Sequence, residues 1–238
     1  VLDFDNFAQI ETMLDKAVTD LGCYVFVNFI NPIRHEAMKT YAYEIFSELG
    51  RVPDFSFHPM GTGGGVWGTW KGYNELAAMG VTDKVPHMVP VQPEAVCWLK
   101  RAVDSGAEVA EMYGDSTRTI AQSISGNSPL QGGRRLIRAV RESGGAAMAV
   151  SDDEILAAMV DLGHEGIGAE PSSASTVAAF KQAVKAGKIS SSDTVVCVIT
   201  GTAFKQPSVV EHIAALPKYT IRADVDQLKG LLVRLKLL

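Results

Sequence analysis

The fold is decided by one stretch, Phe55-Ser-Phe-His-Pro-Met-Gly-Thr-Gly-Gly-Gly-Val-Trp-Gly-Thr-Trp-Lys-Gly-Tyr-Asn-Glu-Leu76. Residues 55–60 are typical of a short apolar strand, and residues 66–76 of the start of a helix. The turn between them, which we call the glycine loop, consists of Gly61, Thr62, Gly63, Gly64 and Gly65. Such a turn aims several backbone N–H groups and the positive end of the helix dipole at one point. The stretch therefore predicts a strand, a loop and a helix with an anion site at the turn.

The glycine loop favours a compact phosphate monoester over a nucleotide. Four glycines in five positions exceed the need of a tight turn, and a backbone without side chains lets a ligand approach closely. The loop lacks the Lys-Ser/Thr ending of a nucleotide P-loop and the G-x-G-x-x-G spacing of a dinucleotide site. A phosphate such as that of pyridoxal phosphate fits better, and a plain turn without a ligand stays the alternative.

The rest of the chain alternates predicted helices with predicted strands. The helices are expected over residues 7–21, 35–49, 94–105, 133–143, 151–162, 171–186 and 223–238, and the further strands over residues 23–27, 85–93, 146–150 and 194–200. The last strand reads Thr-Val-Val-Cys-Val-Ile-Thr, a continuous apolar run that predicts burial on both faces. This order predicts an α/β protein with an open, largely parallel sheet flanked by helices.

Three polar segments follow predicted strands or glycine-limited turns, as the glycine loop does. They are residues 31–34, 170–173 and 200–202. Ligands of open α/β sheets bind at the carboxyl ends of the strands, so these segments are expected to form one site with the loop. Pro171 in a first helical turn, with serines around it, predicts a helix start whose N–H groups face an anion. Residues 106–134 are predicted to be a long excursion near a ligand or a subunit contact.

The composition excludes several classes of function. A net charge of -5 disfavours nucleic acid and anionic membranes as partners, and no apolar run approaches the roughly 20 residues of a membrane span. Three separated cysteines, Cys23, Cys97 and Cys197, argue against a disulfide framework or a zinc site and favour the cytoplasm. The five histidines lack the spacing of metal ligands, and each is expected at the surface or in a loop.

Several stretches together resemble threonine synthase, a pyridoxal-phosphate enzyme family of the tryptophan synthase β-like fold (fold type II). The similar stretches are residues 31–34, 61–65, 91–94, 138–145, 151–156, 170–175 and 196–201. Their order and separations agree with that family over almost the whole chain. The resemblance implies an α/β fold of type II that is incomplete here, with residues 1–50 a remnant of the smaller substrate domain, residues 51–215 the large cofactor domain and residues 216–238 a C-terminal tail.

The resemblance implies a role for each candidate site residue. The glycine loop would hold the phosphate of pyridoxal 5'-phosphate, and the Thr200 hydroxyl would lie against the pyridine nitrogen. Arg34 and Asn31 would bind the substrate, with the guanidinium on its phosphate. Glu170 and Ser172 are further candidates. For Arg34 the alternative is a surface ion pair, and for Thr200 it is a strand-end hydroxyl bonded to backbone.

The implied activity is that of a lyase in threonine biosynthesis, converting O-phosphohomoserine and water to threonine and phosphate. Homodimers are usual in this fold, so a homodimer is expected. Two residues depart from the family pattern: Phe29 replaces a serine, and Gly65 replaces the polar asparagine that often closes the glycine loop. Both missing groups would touch the substrate phosphate. A related β- or γ-elimination or replacement enzyme acting on another amino acid therefore stays an alternative.

The family's Schiff-base lysine, in a Ser-Phe-Lys-Asp segment, has no counterpart in this sequence, and neither has its asparagine loop for the substrate carboxylate. Lys39, Lys71 and Lys205 stand in other motifs, so the catalytic residue is unassigned. The chain is expected to be a fragment, a trimmed form or one piece of a split protein, inactive alone. A non-catalytic binding protein that keeps the phosphate pocket is the remaining alternative.

Overall fold

The computed structural model contains a parallel sheet at its centre, and it describes residues 7–22, 31–113, 118–214 and 219–238. The predicted strand at residues 23–27 and Phe29 lie outside these ranges. Within them the sheet has the order β3-β2-β1-β4. Its strands are β1 (Phe55–Pro59), β2 (His87–Pro93), β3 (Met148–Val150) and β4 (Val195–Cys197). All pairs are parallel, and Phe57 of β1 lies opposite Val89 on one side and Cys197 on the other.

Helices connect the strands and extend beyond them. They are α1 (Phe7–Leu21), α2 (Pro32–Met38), α3 (Thr40–Leu49), α4 (Gly64–Ala78), α5 (Trp98–Asp104), α6 (Arg134–Glu142), α7 (Asp152–His164), α8 (Pro171–Lys185), α9 (Pro207–Ile213) and α10 (Val225–Arg234). Short 3-10 turns occupy Glu94–Val96, Gln122–Ile124, Leu130–Gly133 and Ala203–Lys205. The two turns at Gln122–Ile124 and Leu130–Gly133 lie in the predicted excursion.

Several predicted elements differ from the structure. The helix predicted over residues 94–105 is a 3-10 turn, Glu94–Val96, followed by α5, and α9 lies in a segment without a predicted element. The helix predicted over residues 35–49 begins earlier, at Pro32, because the Asn31 side chain caps it, and it is divided at Lys39 into α2 and α3. The strand predicted to be buried on both faces is wrong in that respect: β4 is half-buried and stands at the end of the described sheet. The internal strand β2 is the buried one, with every residue after His87 inaccessible to solvent.

The sheet has helices on both faces, and each face has its own core. Alternate residues of a strand point to opposite faces. Phe57 and Val89 therefore meet α7 and α8, whereas Met60 and Met88 join the cluster of α4, α5 and α6. Ser56 and His58 alternate with Phe57 along β1, so they share the side of Met60 and face α4. This alternation determines which side chains reach the site above the strands.

Helix α4 packs closely on α2 and α3 through two glycines. A Cβ atom at Gly68 would lie 2.3 Å from the Met38 Cβ, and one at Gly72 would lie 2.8 Å from the Ala42 Cβ and the Lys39 carbonyl oxygen. Only glycine allows backbones to approach this closely. Tyr73 is fully buried in the small core beside this seam. The seam, defined by Gly68 and Gly72, fixes α2 and α3 onto the helix that follows the glycine loop.

Among the described helices, none combines the length and apolar character needed to cross a bilayer. In the same residue ranges, no group of three or more His, Cys, Asp and Glu side chains is arranged to bind a metal ion. The division into residues 1–50, 51–215 and 216–238 stays a prediction.

Candidate functional site

The glycine loop joins β1 to α4 as predicted. Gly63 is the N-cap of α4 in a left-handed conformation (φ 85°), and no side chain caps the helix. The first N–H groups of a helix lack intrahelical partners, and here no cap covers them. The Met60 N–H donates to the Val91 carbonyl oxygen at 2.9 Å, which attaches the start of the loop to β2. The loop therefore presents backbone donors and the helix dipole at the carboxyl end of β1.

Three of the four glycines in the loop differ in the space around them. A Cβ at Gly63 would lie 2.4 Å from the Leu136 Cδ1, and one at Gly61 would lie 3.1 Å from the Ser123 carbonyl oxygen. A Cβ at Gly65 would meet only the His58 Nδ1, at 4.0 Å. Packing therefore requires glycine at Gly63 and restricts Gly61, whereas the side of Gly65 is open.

A cavity of about 310 Å³ lies beside the loop, at the carboxyl ends of β1 and β4. The predicted site residues that line it are Arg34, Gly61, Thr62, Gly63, Gly64, Gly65, Glu170, Ser172 and Thr200. The lining also includes Tyr41, His58, Ser123 and Ser128, which the sequence did not single out. Residues separated by more than a hundred positions therefore line one cavity, because β1 and β4 are neighbours and parallel.

Thr200 is held by a buried serine at the start of α8. The Ser173 Oγ accepts hydrogen bonds from the backbone N–H groups of Thr200 (3.1 Å) and Gly201 (2.7 Å). The same oxygen lies 3.0 Å from the Thr200 Oγ1. Ser173 is fully buried, so its hydroxyl fixes the turn after β4 against the helix. The Glu-Pro-Ser-Ser stretch contains Ser173, but the sequence predicted only Glu170 and Ser172 of this stretch as candidate site residues.

Ser172 and Glu170 line the cavity from the first turn of α8. The Ser172 Oγ is buried and has no hydrogen-bond partner within the described part of the chain. Glu170 is 3% exposed, and its carboxylate occupies the space beside Gly201, where a Cβ would lie 2.3 Å from the Glu170 Oε1. The Lys205 Nζ lies 3.9 Å from the other carboxylate oxygen. The cavity thus contains one unsatisfied hydroxyl and one buried carboxylate.

The two predicted substrate residues differ in position. Arg34 on α2 lines the cavity. Asn31 is buried, and its Oδ1 accepts a hydrogen bond from the Ile33 N–H at 2.9 Å as the N-cap of α2. Asn31 is not among the residues that line the cavity, so the structure gives it a capping contact, and its contact with a substrate stays a prediction.

His58 is a site residue that the sequence analysis missed. The expectation that each histidine lies at the surface or in a loop is wrong for His58 and His35, which are 2% and 3% exposed. The His58 Nε2 lies 2.9 Å from the Ser56 Oγ. The His58 and Tyr41 rings pack edge to face, with their centroids 6.0 Å apart. Burial lowers the pKa of the His58 imidazole to about 4. The signal was its place in β1, directly before the glycine loop.

No lysine lines the cavity in the part of the chain that the structure describes. Lys39 and Lys71 form ion pairs with Glu36 and Glu75 on the outer side of α2 and α4. Hydrogen bonds from Lys39 and Lys71 lower the pKa of the Glu36 carboxyl to about 2. These lysines connect helices, and none is assigned as a catalytic residue.

Solved structures share the fold of this chain. The processed form of threonine deaminase isoform 2 from Solanum lycopersicum aligns with a TM-score of 0.71 and 20% identity, covering 91% of this chain and 60% of that one. Serine racemase from Dictyostelium discoideum aligns with a TM-score of 0.63 and 22% identity, covering 83% of this chain and 59% of that one. At these identities the likeness shows the fold alone, and it confirms the predicted fold class.

Curated relatives confirm the resemblance to threonine synthase. The chain is 38% identical over 205 residues to threonine synthase of Methanosarcina acetivorans, covering 85% of this chain and 50% of that protein. It is 35% identical over 232 residues to threonine synthase of Methanocaldococcus jannaschii, covering 97% of this chain and 56% of that protein. The chain spans about half the length of the curated relatives it matches. The profile of the family described as pyridoxal-phosphate dependent enzyme matches residues 3–201, so the chain belongs to this enzyme family, whose cofactor is pyridoxal phosphate.

Proposed function

We propose that the cavity holds pyridoxal 5'-phosphate, with its phosphate at the glycine loop and its pyridine nitrogen at Thr200. The observation that supports this most is the meeting of the glycine loop, Thr200 and Arg34 around one cavity in a chain of this family. When bound, the cofactor supplies an electron sink for carbanions next to the amino group of a substrate. The glycine loop would bind the phosphate by uncapped N–H groups at the start of α4.

The hydrogen bonds of Ser173 make Thr200 a donor. A serine hydroxyl has two acceptor lone pairs and one proton. Both lone pairs of Ser173 receive backbone N–H groups, from Thr200 and Gly201. Its proton is then directed to the Thr200 Oγ1, at 3.0 Å, which leaves the Thr200 O–H to donate to another group. A pyridine nitrogen without a proton is an acceptor, so the two groups are complementary.

Ser172 also fits a bound cofactor. Its buried Oγ has no partner within the described residues and lines the same cavity. A buried polar group without a hydrogen bond costs about 1–3 kcal/mol. A polar ligand that reaches this hydroxyl would supply the missing hydrogen bond. Binding would then remove the free-energy cost of the unsatisfied hydroxyl.

For the whole protein we propose the threonine synthase reaction, in which O-phosphohomoserine and water give threonine and phosphate. The relatives at 38% and 35% identity are threonine synthases, and Arg34 lines the cavity, where its guanidinium would bind the substrate phosphate. An elimination or replacement on another amino acid is the second candidate, because Gly65 leaves open the space of a polar side chain. A homodimer and a cytoplasmic location stay predictions.

The cofactor assignment is tested by titrating the protein with pyridoxal phosphate and recording its absorbance. Thr200→Val removes the donor and keeps the shape, whereas Thr200→Ser keeps the donor. We expect the valine variant to bind roughly fivefold more weakly, since one hydrogen bond contributes about 1 kcal/mol, and the serine variant to bind normally. Equal affinity of both variants would contradict the assigned contact.

The reaction is tested with full-length protein, pyridoxal phosphate and O-phosphohomoserine. Threonine and inorganic phosphate should appear in equal amounts. Arg34→Met should raise KM by roughly 10- to 100-fold, which corresponds to the free energy of a hydrogen bond to a charged group. Arg34→Lys should raise KM less, because it keeps the positive charge. Turnover of a different amino acid, without phosphate release from O-phosphohomoserine, would favour the second candidate.

A further inference from the structure

His58 is a buried polar residue whose second nitrogen opens on the cavity. It lies on the α4 side of β1, and one ring nitrogen, Nε2, is 2.9 Å from the Ser56 Oγ. The other nitrogen, Nδ1, has no hydrogen-bond partner in the described ranges, although the whole residue is 2% exposed and lines the cavity. The open position at Gly65 lies on that side, since a Cβ there would be in contact distance of Nδ1.

Ser56 determines which nitrogen of the imidazole bears the proton. Ser56 is fully buried, and within the described residues its Oγ has His58 as its hydrogen-bond partner. If Nε2 donated to this oxygen, the serine proton would be buried without an acceptor, which is unfavourable. If the serine donates to Nε2, both groups are satisfied and the ring proton resides on Nδ1. The neutral imidazole therefore directs an N–H donor into the cavity.

This donor lies beside the N-terminus of α4. A Cβ at Gly65, the second residue of that helix, would be 4.0 Å from the His58 Nδ1 and within 4 Å of no other group. The uncapped N–H groups of the same helical turn are the kind of donors that bind an anion at a helix N-terminus. Burial keeps the imidazole neutral at neutral pH, so it acts there as a hydrogen-bond donor and contributes no charge. Backbone and side-chain donors thus face the same region of the cavity.

We propose that His58 is a positioning residue that donates a hydrogen bond from Nδ1 to an oxygen of a phosphate monoester bound at the start of α4. Its Nδ1 would lie 4.0 Å from a Cβ at Gly65, so it faces the space that a polar side chain at Gly65 would enter from the loop. The inference rests on the proposed function in that a phosphate monoester is the ligand. Two molecules could supply this group: the cofactor and a phosphorylated substrate.

The first experiment needs no variant and no turnover. Full-length protein containing 15N-labelled histidine is titrated with inorganic phosphate, and the two ring nitrogens of His58 are observed by long-range 1H–15N NMR. We expect the Nδ1–H tautomer before titration and a saturable shift of Nδ1 on adding phosphate. An Nε2–H tautomer, or an Nδ1 resonance whose chemical shift does not change on adding phosphate, would overturn the proposal.

The second experiment compares two amide variants. The amide nitrogen of His58→Asn is two bonds from Cβ, as Nδ1 is, so this variant retains the donor. The amide oxygen of His58→Gln is three bonds from Cβ, as Nε2 is, so it can accept the Ser56 hydroxyl, while no donor remains at the position of Nδ1. For a phosphate ligand we expect roughly tenfold weaker binding to the glutamine variant and near-normal binding to the asparagine variant. Equal affinities in the two variants would overturn the proposal.

The ligand used with these variants identifies the source of the phosphate. If His58→Gln binds pyridoxal phosphate more weakly but binds pyridoxal with unchanged affinity, the contact is with the phosphate of the cofactor. A loss for O-phosphohomoserine on cofactor-loaded protein, with normal cofactor affinity, assigns it to the substrate. If the wild-type protein fails to bind pyridoxal phosphate while His58 still responds to inorganic phosphate, the proposed function fails and the anion contact stands.

Discussion

Replacing Gly63 by alanine tests whether packing, and not only backbone conformation, requires glycine in the loop. Gly63 has a φ of 85° at the N-cap of α4. The added Cβ would lie 2.4 Å from the Leu136 Cδ1, 2.5 Å from its Cδ2 and 2.9 Å from its Cγ. Leu136 is 1% exposed in the core between α4, α5 and α6, so it has no solvent-filled space into which it can turn.

Two contributions to the destabilisation can be separated. A left-handed conformation costs an L-residue about 1–2 kcal/mol. Forcing an extra methyl group into a filled core costs about 1–3 kcal/mol more. Gly63→Ala should therefore lower the free energy of unfolding by roughly 2–5 kcal/mol. Gly80→Ala is the matched control, because Gly80 has a φ of 71° and an added Cβ would meet nothing within 4 Å. It should show only the first contribution.

The assay is urea denaturation of the two variants, followed by circular dichroism and by tryptophan fluorescence. The m-value should stay constant, so that the shift in midpoint reports stability alone. The difference between the variants measures the packing contribution, expected at about 1–3 kcal/mol. Equal destabilisation within about 0.5 kcal/mol would show that Leu136 relaxes freely, and would refute the packing argument.

Three further predictions concern the same cavity. Gly65→Ala should keep or slightly raise stability, since alanine is favoured over glycine in a helix by roughly 0.5–1 kcal/mol, yet weaken pyridoxal phosphate binding in an absorbance titration. Unchanged affinity would show that the ligand avoids this position. The folded pKa of His58, about 4, lies below its unfolded value of 6.5, so its contribution to stability is complete above pH 6.5 and is lost as pH falls towards 4. In phosphate-free buffer, the free energy of unfolding of the wild type should fall by roughly 3 kcal/mol more than that of His58→Leu between pH 6.5 and pH 4. Parallel pH profiles of stability for the two proteins would contradict this prediction. Ser173→Ala should destabilise the protein by about 1–3 kcal/mol and accelerate amide exchange at Thr200 and Gly201, because two backbone donors lose their acceptor; unchanged exchange would argue against this anchor.

The glycine loop was predictable because its chemistry is local. A strand, a run of glycines and a helix follow each other directly, and the structure has β1, the loop and α4 in that order. The start of the helix predicted over residues 151–162 is local too: the Glu154 N–H donates to the Ser151 Oγ, and the Ser151 N–H donates to the Glu154 carboxylate. Residues at separate strand ends were expected to meet, because carboxyl ends of parallel strands share one edge.

Features that depend on sheet order and depth were beyond the sequence. A continuous apolar run does not reveal whether a strand is internal, and β4 proved to be half-buried at the end of the described sheet. His58 looked polar and therefore exposed, yet its place on the α4 side of β1 buries it with Ser56. The buried serine is the partner that makes a buried histidine tolerable. Only the structure shows that both residues are buried and that they hydrogen-bond to each other.

The seam at Gly68 and Gly72 fixes the distance from the backbone of Arg34 to the glycine loop. Arg34 belongs to α2, the glycine loop leads into α4, and the two helices approach too closely at the seam to slide independently. Under the proposed function, the length of the bound ligand is therefore selected partly by Gly68 and Gly72, neither of which lines the cavity. A chain that evolves to accept a longer or shorter molecule would first have to change the helix spacing, and new side chains inside the pocket would not suffice.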